Sequence, residues 1–248
     1  MPHEPIFFVV IAVVGLLIGL SKGGMGAAIV VTITPLLSLV MSVQDAISLA
    51  LPLLLVADAL ALIIYWKTWD LSYVKTMLPP ALIGIVIGTV LLASLPDTTM
   101  RRVLGLFTLT FVIYRLAMPY LRAAHYQPKR WHAILAGGAS GLGSALANTG
   151  APPFTMYMLL QPISPTVFVG TTTLFFALVN LFKLPGLILA NLMDFSQALN
   201  SLWVVPIIFG GVFLGRWLIR RIHRDLFDYI MLAVLAIASA VLLLVPPR

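Results

Sequence analysis

Apolar positions fall along this chain in ten blocks divided by short polar or Gly/Pro punctuation. In the first half the blocks lie near 6–20, 26–41, 46–66, 73–95 and 102–119. In the second half they lie near 131–147, 151–162, 167–190, 197–219 and 226–245. The last three blocks of each half are long enough to cross a bilayer as helices, which needs about 20 residues, whereas the first two are marginal. The first two blocks of each half adjoin at a break. One break reads Ser21-Lys22-Gly23-Gly24-Met25-Gly26 and the other Asn148-Thr149-Gly150-Ala151-Pro152-Pro153. Short, Gly/Pro-interrupted apolar segments in matching positions of two halves point to the binding site of a transporter.

The halves resemble each other beyond the breaks. Asp70-Leu71-Ser72 matches Asp194-Phe195-Ser196, each ahead of a helix rich in small residues. Gly84 and Gly88 correspond to Gly211 and Gly215, with the spacing that lets membrane helices approach closely. Met100-Arg101-Arg102-Val103 corresponds to Leu226-Phe227-Asp228-Tyr229. A long-period duplication accounts for all of this, with repeats over 1–120 and 131–248 joined by a basic linker at 121–130.

Composition makes lipid the solvent. Hydrophobic residues reach 61%, charged residues only 9%, and mean hydropathy is +1.08, which excludes an ordinary soluble domain. The net charge of +7 does not indicate nucleic acid, because Lys and Arg sit in short clusters between apolar blocks, as in cytoplasmic loops. Without cysteine there are no disulfides or thiolate ligands. His3, His125, His132 and His223 are scattered near loops and segment ends, so no metal or other cofactor is expected. His3 and Glu4 precede the first block without a Lys or Arg, unlike the basic start of a cleaved signal.

Charge also orients the chain. If each interrupted pair is a re-entrant hairpin, or two full crossings, three basic groups fall on one side. These are Lys67 with Lys75, Arg122 with Lys129 and Arg130, and the cluster Arg216, Arg220, Arg221 and Arg224. Arg101, Arg102 and Arg248 fall on the other. The positive-inside rule then gives inverted repeats with both termini outside. The fold expected is all-α and membrane-embedded: two inverted repeats, each an interrupted hairpin plus three spanning helices, with hairpin tips meeting near the midplane.

At such tips Lys22 is the sharpest residue, because a cation deep in a membrane is expensive and usually functional. With Ser21 and the amides of Gly23 and Gly24 it offers what an anion needs: backbone donors, positive helix ends and a counter-charge. Asn148, Thr149 and Gly150 supply donors at the second tip, and Thr172 adds a hydroxyl. Pro152 and Pro153 suit the first turn of the following helix. Asp58 and Asn180 hold matching points in the third blocks, and Lys183 lies one turn beyond Asn180. A carboxylate there is a candidate for proton coupling, for a structural hydrogen bond, or for pairing with Lys183 or Lys22. Gln44 and Asp45 look like a helix start, and Trp66, Trp69, Trp131 and Trp217 like interface-belt residues.

The chain also resembles the TauE/SafE (sulfite exporter) family of bacterial membrane permeases over nearly its whole length. The resemblance is carried by Gly23-Gly24-Met25-Gly26 with Ala46-Ile47-Ser48 in the first repeat. In the second it is carried by Thr149-Gly150-Ala151-Pro152-Pro153-Phe154-Thr155-Met156-Tyr157, Gly170-Thr171-Thr172 and Asn180-Leu181-Phe182-Lys183-Leu184-Pro185. It implies secondary transport of small sulfur-containing anions such as sulfite or organosulfonates, most simply as an exporter in the bacterial inner membrane. The expected partners are the anion and the bilayer, with a homodimer left open. An anion channel and a carrier of small carboxylates are the alternatives. A remote one is an intramembrane serine protease, since Gly138-Ala139-Ser140-Gly141 meets that short pattern. However, such a serine needs a positioned base, and the only later histidine is His223 in an Arg-rich loop. No enzyme activity or catalytic residue is expected.

Overall fold

The computed structural model describes residues 5–25, 27–121, 129–218 and 224–244. Gly26, His3, Glu4, Arg122, His125, Arg220, Arg221, His223, Arg248 and most of the 121–130 linker lie outside the described residues, among which there is no strand. The helices are α1 (Pro5–Leu20), α2 (Ala27–Leu37), α3 (Val43–Ile64), α4 (Leu71–Ser94), α5 (Asp97–Leu121), α6 (Arg130–Ala147), α7 (Ala151–Leu159), α8 (Pro165–Leu189), α9 (Phe195–Asn200), α10 (Val205–Leu218) and α11 (Arg224–Leu244). A π turn, Ser21–Met25, continues α1, and a short 3₁₀ turn, Leu202–Val204, joins α9 to α10.

By length and apolar character five described segments can cross a membrane: Ile6–Gly24, α3, α4, α8 and Phe195–Leu218. Four of the six spans expected from sequence are among them; those near 102–119 and 226–245 are not. The first block qualifies because the π turn carries it to Gly24, past the apparent break at Ser21.

Both breaks fold back. Helices α1 and α2 pack together although residues 21–26 separate them, whereas in one straight helix residues seven apart lie about 10 Å apart. Gly24 makes the reversal, with φ 112°, a conformation that costs an L-residue with a Cβ far more than glycine. At the second break a Cβ on Gly150 would strike the Ser140 carbonyl oxygen, ten positions back along the chain. Asn148 turns that corner in the left-handed region, at φ 54°.

The segments pair across the halves. Along α1, Gly15, Gly19 and Gly23 meet Val204, Ile208 to Gly211, and Val212 to Gly215 in that order, so α1 and α10 run parallel. In the same way Gly137, Gly141 and Ala145 of α6 meet Met77 to Pro80, Ala81 and Gly88 in order along α4, again parallel. In both places a Cβ at most of the glycines would come within 3.0 Å of a carbonyl oxygen or side chain on the facing helix. Dispersion between closely approaching backbones holds such helices together in lipid, where the hydrophobic effect does not. Ile83, Val86, Ile87 and Val90 cover the exposed side of α4, while Met77, Ala81, Gly84 and Gly88 are buried.

Corresponding helices cross antiparallel. Ser48 near the start of α3 reaches Met193 and Asp194 beyond the end of α8, Asp58 reaches Asn180, and Thr68 abuts Gly170 near the start of α8. Between α5 and α11, Gly105 meets Ser239, Leu242 and Leu243, while Phe111 and Val112 share a cluster with Leu232 and Leu235.

One corner is built twice. After α3, Lys67 sits at φ 60° and Asp70 caps α4 by accepting from Ser72; after α8, Asn191 sits at φ 55° and Asp194 caps α9 by accepting from Ser196 and Gln197. The Asp70 amide donates to Thr171 Oγ1 (2.9 Å), and the Asp194 amide donates to Ser48 Oγ (3.4 Å). Each half thus seats its corner on the opposite half's long helix.

Candidate functional site

A chain of buried polar side chains joins the two breaks. The π turn holds Lys22, whose ammonium forms an ion pair with Asp58 Oδ1 on α3. The other Asp58 oxygen, Oδ2, accepts from Asn180 Nδ2 on α8 at 2.7 Å. One turn further along α8, Lys183 donates to the Ser144 carbonyl oxygen at 3.2 Å and to Asn148 Oδ1. Asn148 in turn donates through Nδ2 to Thr34 Oγ1 on α2 at 3.0 Å. Because α2 is the returning arm of the first hairpin, the chain leads from one tip to the other. Asp58 and Lys183 are only 1% and 0% exposed, and the Lys22 side chain 11%, so every charge here is largely removed from water.

Local sequence explains the placement. Gly23 brings the π turn against Val212 and Gly215 of α10, while the wider π turn displaces Lys22 from a regular helical register toward α3. At the second tip the C-terminus of α6 is closed by its own chain. The Asn148 amide donates to Ser144 O (3.0 Å), and the Thr149 amide and hydroxyl both donate to Gly143 O (3.0 and 3.2 Å). With the backbone thus satisfied, the Asn148 amide group is left to engage other helices.

Lys22, Asp58, Asn148, Asn180 and Lys183 are therefore brought together. Ser21, Gly23 and Gly24 adjoin them in the π turn, and Gly150 lies at the close crossing with α6. Two expected hydroxyls are committed elsewhere. Thr149 bonds inside its own corner, and Thr172 Oγ1 donates to Phe168 O at 2.7 Å within α8. Thr34 is a member that sequence reasoning missed, and Ser144 takes part through its carbonyl oxygen. Of the expected pairings of Asp58, the one made is with Lys22; Lys183 turns to the second break. Gln44 reaches the Leu92 carbonyl (2.8 Å), and Ser42 caps α3 by accepting from Asp45, a structural use for this segment. Ser140 is fully buried and its Oγ has no hydrogen-bond partner, so among the described residues no base is set against it. Its neighbour Gly141 serves the crossing with α4. Among the described residues no cluster of His, Cys, Asp or Glu suits a metal ion.

Chemically the cluster sets two lysine side chains against one carboxylate in a low-dielectric setting. Neutral acceptors surround Lys183, while Lys22 has a formal counter-charge. At formal charges the basic side chains exceed the acidic one by one, and buried ionisable groups of this kind inside a membrane are costly and usually functional.

The family model described as Sulfite exporter TauE/SafE matches residues 11–242. The chain is similar to the "Probable membrane transporter protein YtnM" of Bacillus subtilis (strain 168), at 28% identity over 249 residues. That alignment covers 94% of this chain and 81% of the relative. No solved structure matches the chain.

Proposed function

We propose that this chain, which belongs to the TauE/SafE sulfite exporter family of multi-pass membrane transporters, is a secondary carrier of small sulfur-containing anions. Its cargo is sulfite or an organosulfonate, moved outward across the bacterial inner membrane. The site is the junction of the two breaks, with Lys22 as the residue that meets the anion. The observation that carries this reading is the buried excess of ammonium over carboxylate where two hairpins meet.

In this reading the chain consists of two inverted repeats with both termini outside. Three observations support the inversion: the antiparallel crossings of α3 with α8 and of α5 with α11, the fold-back at both breaks, and the exchanged corner contacts. Rocking of one repeat against the other exposes the junction to each side in turn. Asp58, freed from Lys22 by an arriving anion, is the group to couple protons to that cycle.

The test is efflux from proteoliposomes loaded with sulfite, thiosulfate, organosulfonates or small carboxylates. Saturable, competable efflux of the sulfur anions is expected, and Lys22→Gln lowers it by roughly tenfold or more, the loss of one buried charge-assisted contact. Wild-type-like flux through a correctly inserted Lys22→Gln protein overturns the site. Passive conductance without saturation overturns the carrier in favour of a channel.

A further inference from the structure

The junction contains an odd number of charges. Lys22 and Lys183 are its two basic side chains and Asp58 is the one acidic one, so at formal charges the cluster stands at +1. The charged groups that face Asp58 are Lys22 from the first break, in direct contact, and Lys183 from α8, within electrostatic reach. Asn180 occupies the second carboxylate oxygen with a neutral donor. Other charged side chains on the elements packed against α3 are engaged or exposed elsewhere. Asp45 bonds Ser42 at the start of α3, Asp97 accepts from the Val43 amide and is within 3.9 Å of Arg101, His132 on α6 bonds the Lys129 amide, Arg115 on α5 is half-buried and engaged, and Arg102, Arg130 and Arg216 are exposed. Among the described residues Asp58 is also the one buried carboxylate.

We infer that the site carries its cargo as a neutral assembly, so that a dianion binds together with one proton on Asp58 while a monoanion binds without one. This rests on the anion-carrier reading above. A monoanion brings the cluster from +1 to 0 and asks for nothing more. A dianion brings it to −1, and an uncompensated charge that must cross the apolar midplane costs several kcal/mol. The step is balanced as follows. The substrate oxygen replaces Asp58 Oδ1 on the Lys22 ammonium and that ion pair breaks. A proton from solvent then forms an O–H bond at Oδ1, while Asn180 keeps its hydrogen bond to Oδ2. The new hydroxyl is a donor beside the anion, where the carboxylate was a repulsive acceptor. Lys183 stays on Asn148 and Ser144 throughout, holding the second positive charge without a competing carboxylate.

Titration calorimetry on the purified protein near pH 7, in two cationic buffers of different protonation enthalpy, reads the protons taken up on binding. Thiosulfate serves as the dianion and methanesulfonate as the monoanion. Uptake of about one proton is expected with thiosulfate and none with methanesulfonate. Asp58→Asn should bind thiosulfate with no uptake, because its cluster already stands at +2. Equal uptake with both anions, no uptake with thiosulfate, or uptake that survives in Asp58→Asn overturns the inference while leaving the anion site in place. The wild-type comparison of the two anions stands without any variant. If neither anion binds saturably, the carrier reading falls and this inference falls with it.

Discussion

The ion pair between the first break and α3 makes a prediction whose sign depends on the third charge beside it. At formal charges wild type stands at +1, with Lys22, Asp58 and Lys183 all buried or nearly so. Lys22→Met leaves Asp58 with the Asn180 hydrogen bond and the field of Lys183, a cluster at 0. Asp58→Asn leaves two ammonium groups facing a neutral amide, a cluster at +2. The double variant returns to +1, with Lys183 still held by Asn148 and Ser144. Breaking a buried ion pair by removing one partner costs about 3–5 kcal/mol, whereas replacing both partners is often nearly neutral. Asp58→Asn should therefore lose about 3–5 kcal/mol. Lys22→Met should lose less, about 1–3 kcal/mol, because Asp58 keeps two compensating neighbours and Lys22 is the more exposed partner. The double variant should return to within about 2 kcal/mol of wild type, well short of the sum of the singles. Equilibrium unfolding in mixed detergent micelles gives the four free energies. Additive losses would refute the coupling of the pair, and a larger loss for Lys22→Met than for Asp58→Asn would refute the role given to Lys183. The double variant should be folded and inactive in efflux, which separates the pair's contribution to stability from its contribution to transport.

Glycine at the helix crossings supplies a second prediction with a control inside the same protein. A Cβ at Gly141 would lie within 3.0 Å of the Ala81 carbonyl oxygen, whereas nothing lies within 4 Å of one at Gly210. Gly141→Ala should cost about 1–3 kcal/mol by forcing α4 and α6 apart, and Gly210→Ala should gain about 0.5–1 kcal/mol through helix propensity; equal melting shifts would refute the packing argument. The inverted arrangement is tested by membrane-impermeant thiol labelling, since the chain has no cysteine of its own. Lys129→Cys should react only from the cytoplasm and Arg102→Cys only from outside, and labelling of both from one face would overturn it. At the repeated corner, hydrogen bonds from the Ser72 hydroxyl and amide hold the Asp70 carboxyl below its ordinary value of 3.8. A lowered value stabilises the fold above the ordinary carboxylate range, and that contribution is lost as pH falls through the lowered one. The stability difference between wild type and Asp70→Asn should therefore shrink below about pH 4, by a few tenths of a kcal/mol at this solvent-screened position. A difference constant down to pH 3 would show that the carboxylate charge contributes nothing there.

Much of the architecture was legible because membrane helices announce themselves by length and because their interruptions are written in Gly, Pro and Asn. The Asp-x-Ser corners were legible for the same local reason: each Asp caps the helix that begins at the next residue. What the π turn does was not legible. Ser21-Lys22-Gly23-Gly24 reads as the end of a helix, yet hydrogen bonding continues through it and reverses only at Gly24. Hydroxyls were the other blind spot. A Thr in an apolar helix usually bonds a carbonyl one turn back, as Thr172 does to Phe168 and Thr32 to Ile29. Nothing local distinguishes Thr34, which instead receives a hydrogen bond from a residue 114 positions away.

The choice of partners for the two lysines was illegible for a deeper reason. Lys22 and Asn148 lie at the two breaks, and each turns to the third helix of its own half, Lys22 to Asp58 and Asn148 to Lys183. Asn148 meets Lys183 one turn beyond Asn180, the residue that matches Asp58, so the basic side chain lies at the break in the first pair and on the helix in the second. Two unlike latches result. An anion approaching Lys22 must displace a carboxylate, whereas one approaching Lys183 competes only with neutral oxygens. On the carrier proposal, exchange of charge therefore belongs to the first break. The second keeps its lysine on neutral oxygens, and the resemblance of the halves does not make their tips interchangeable in chemistry.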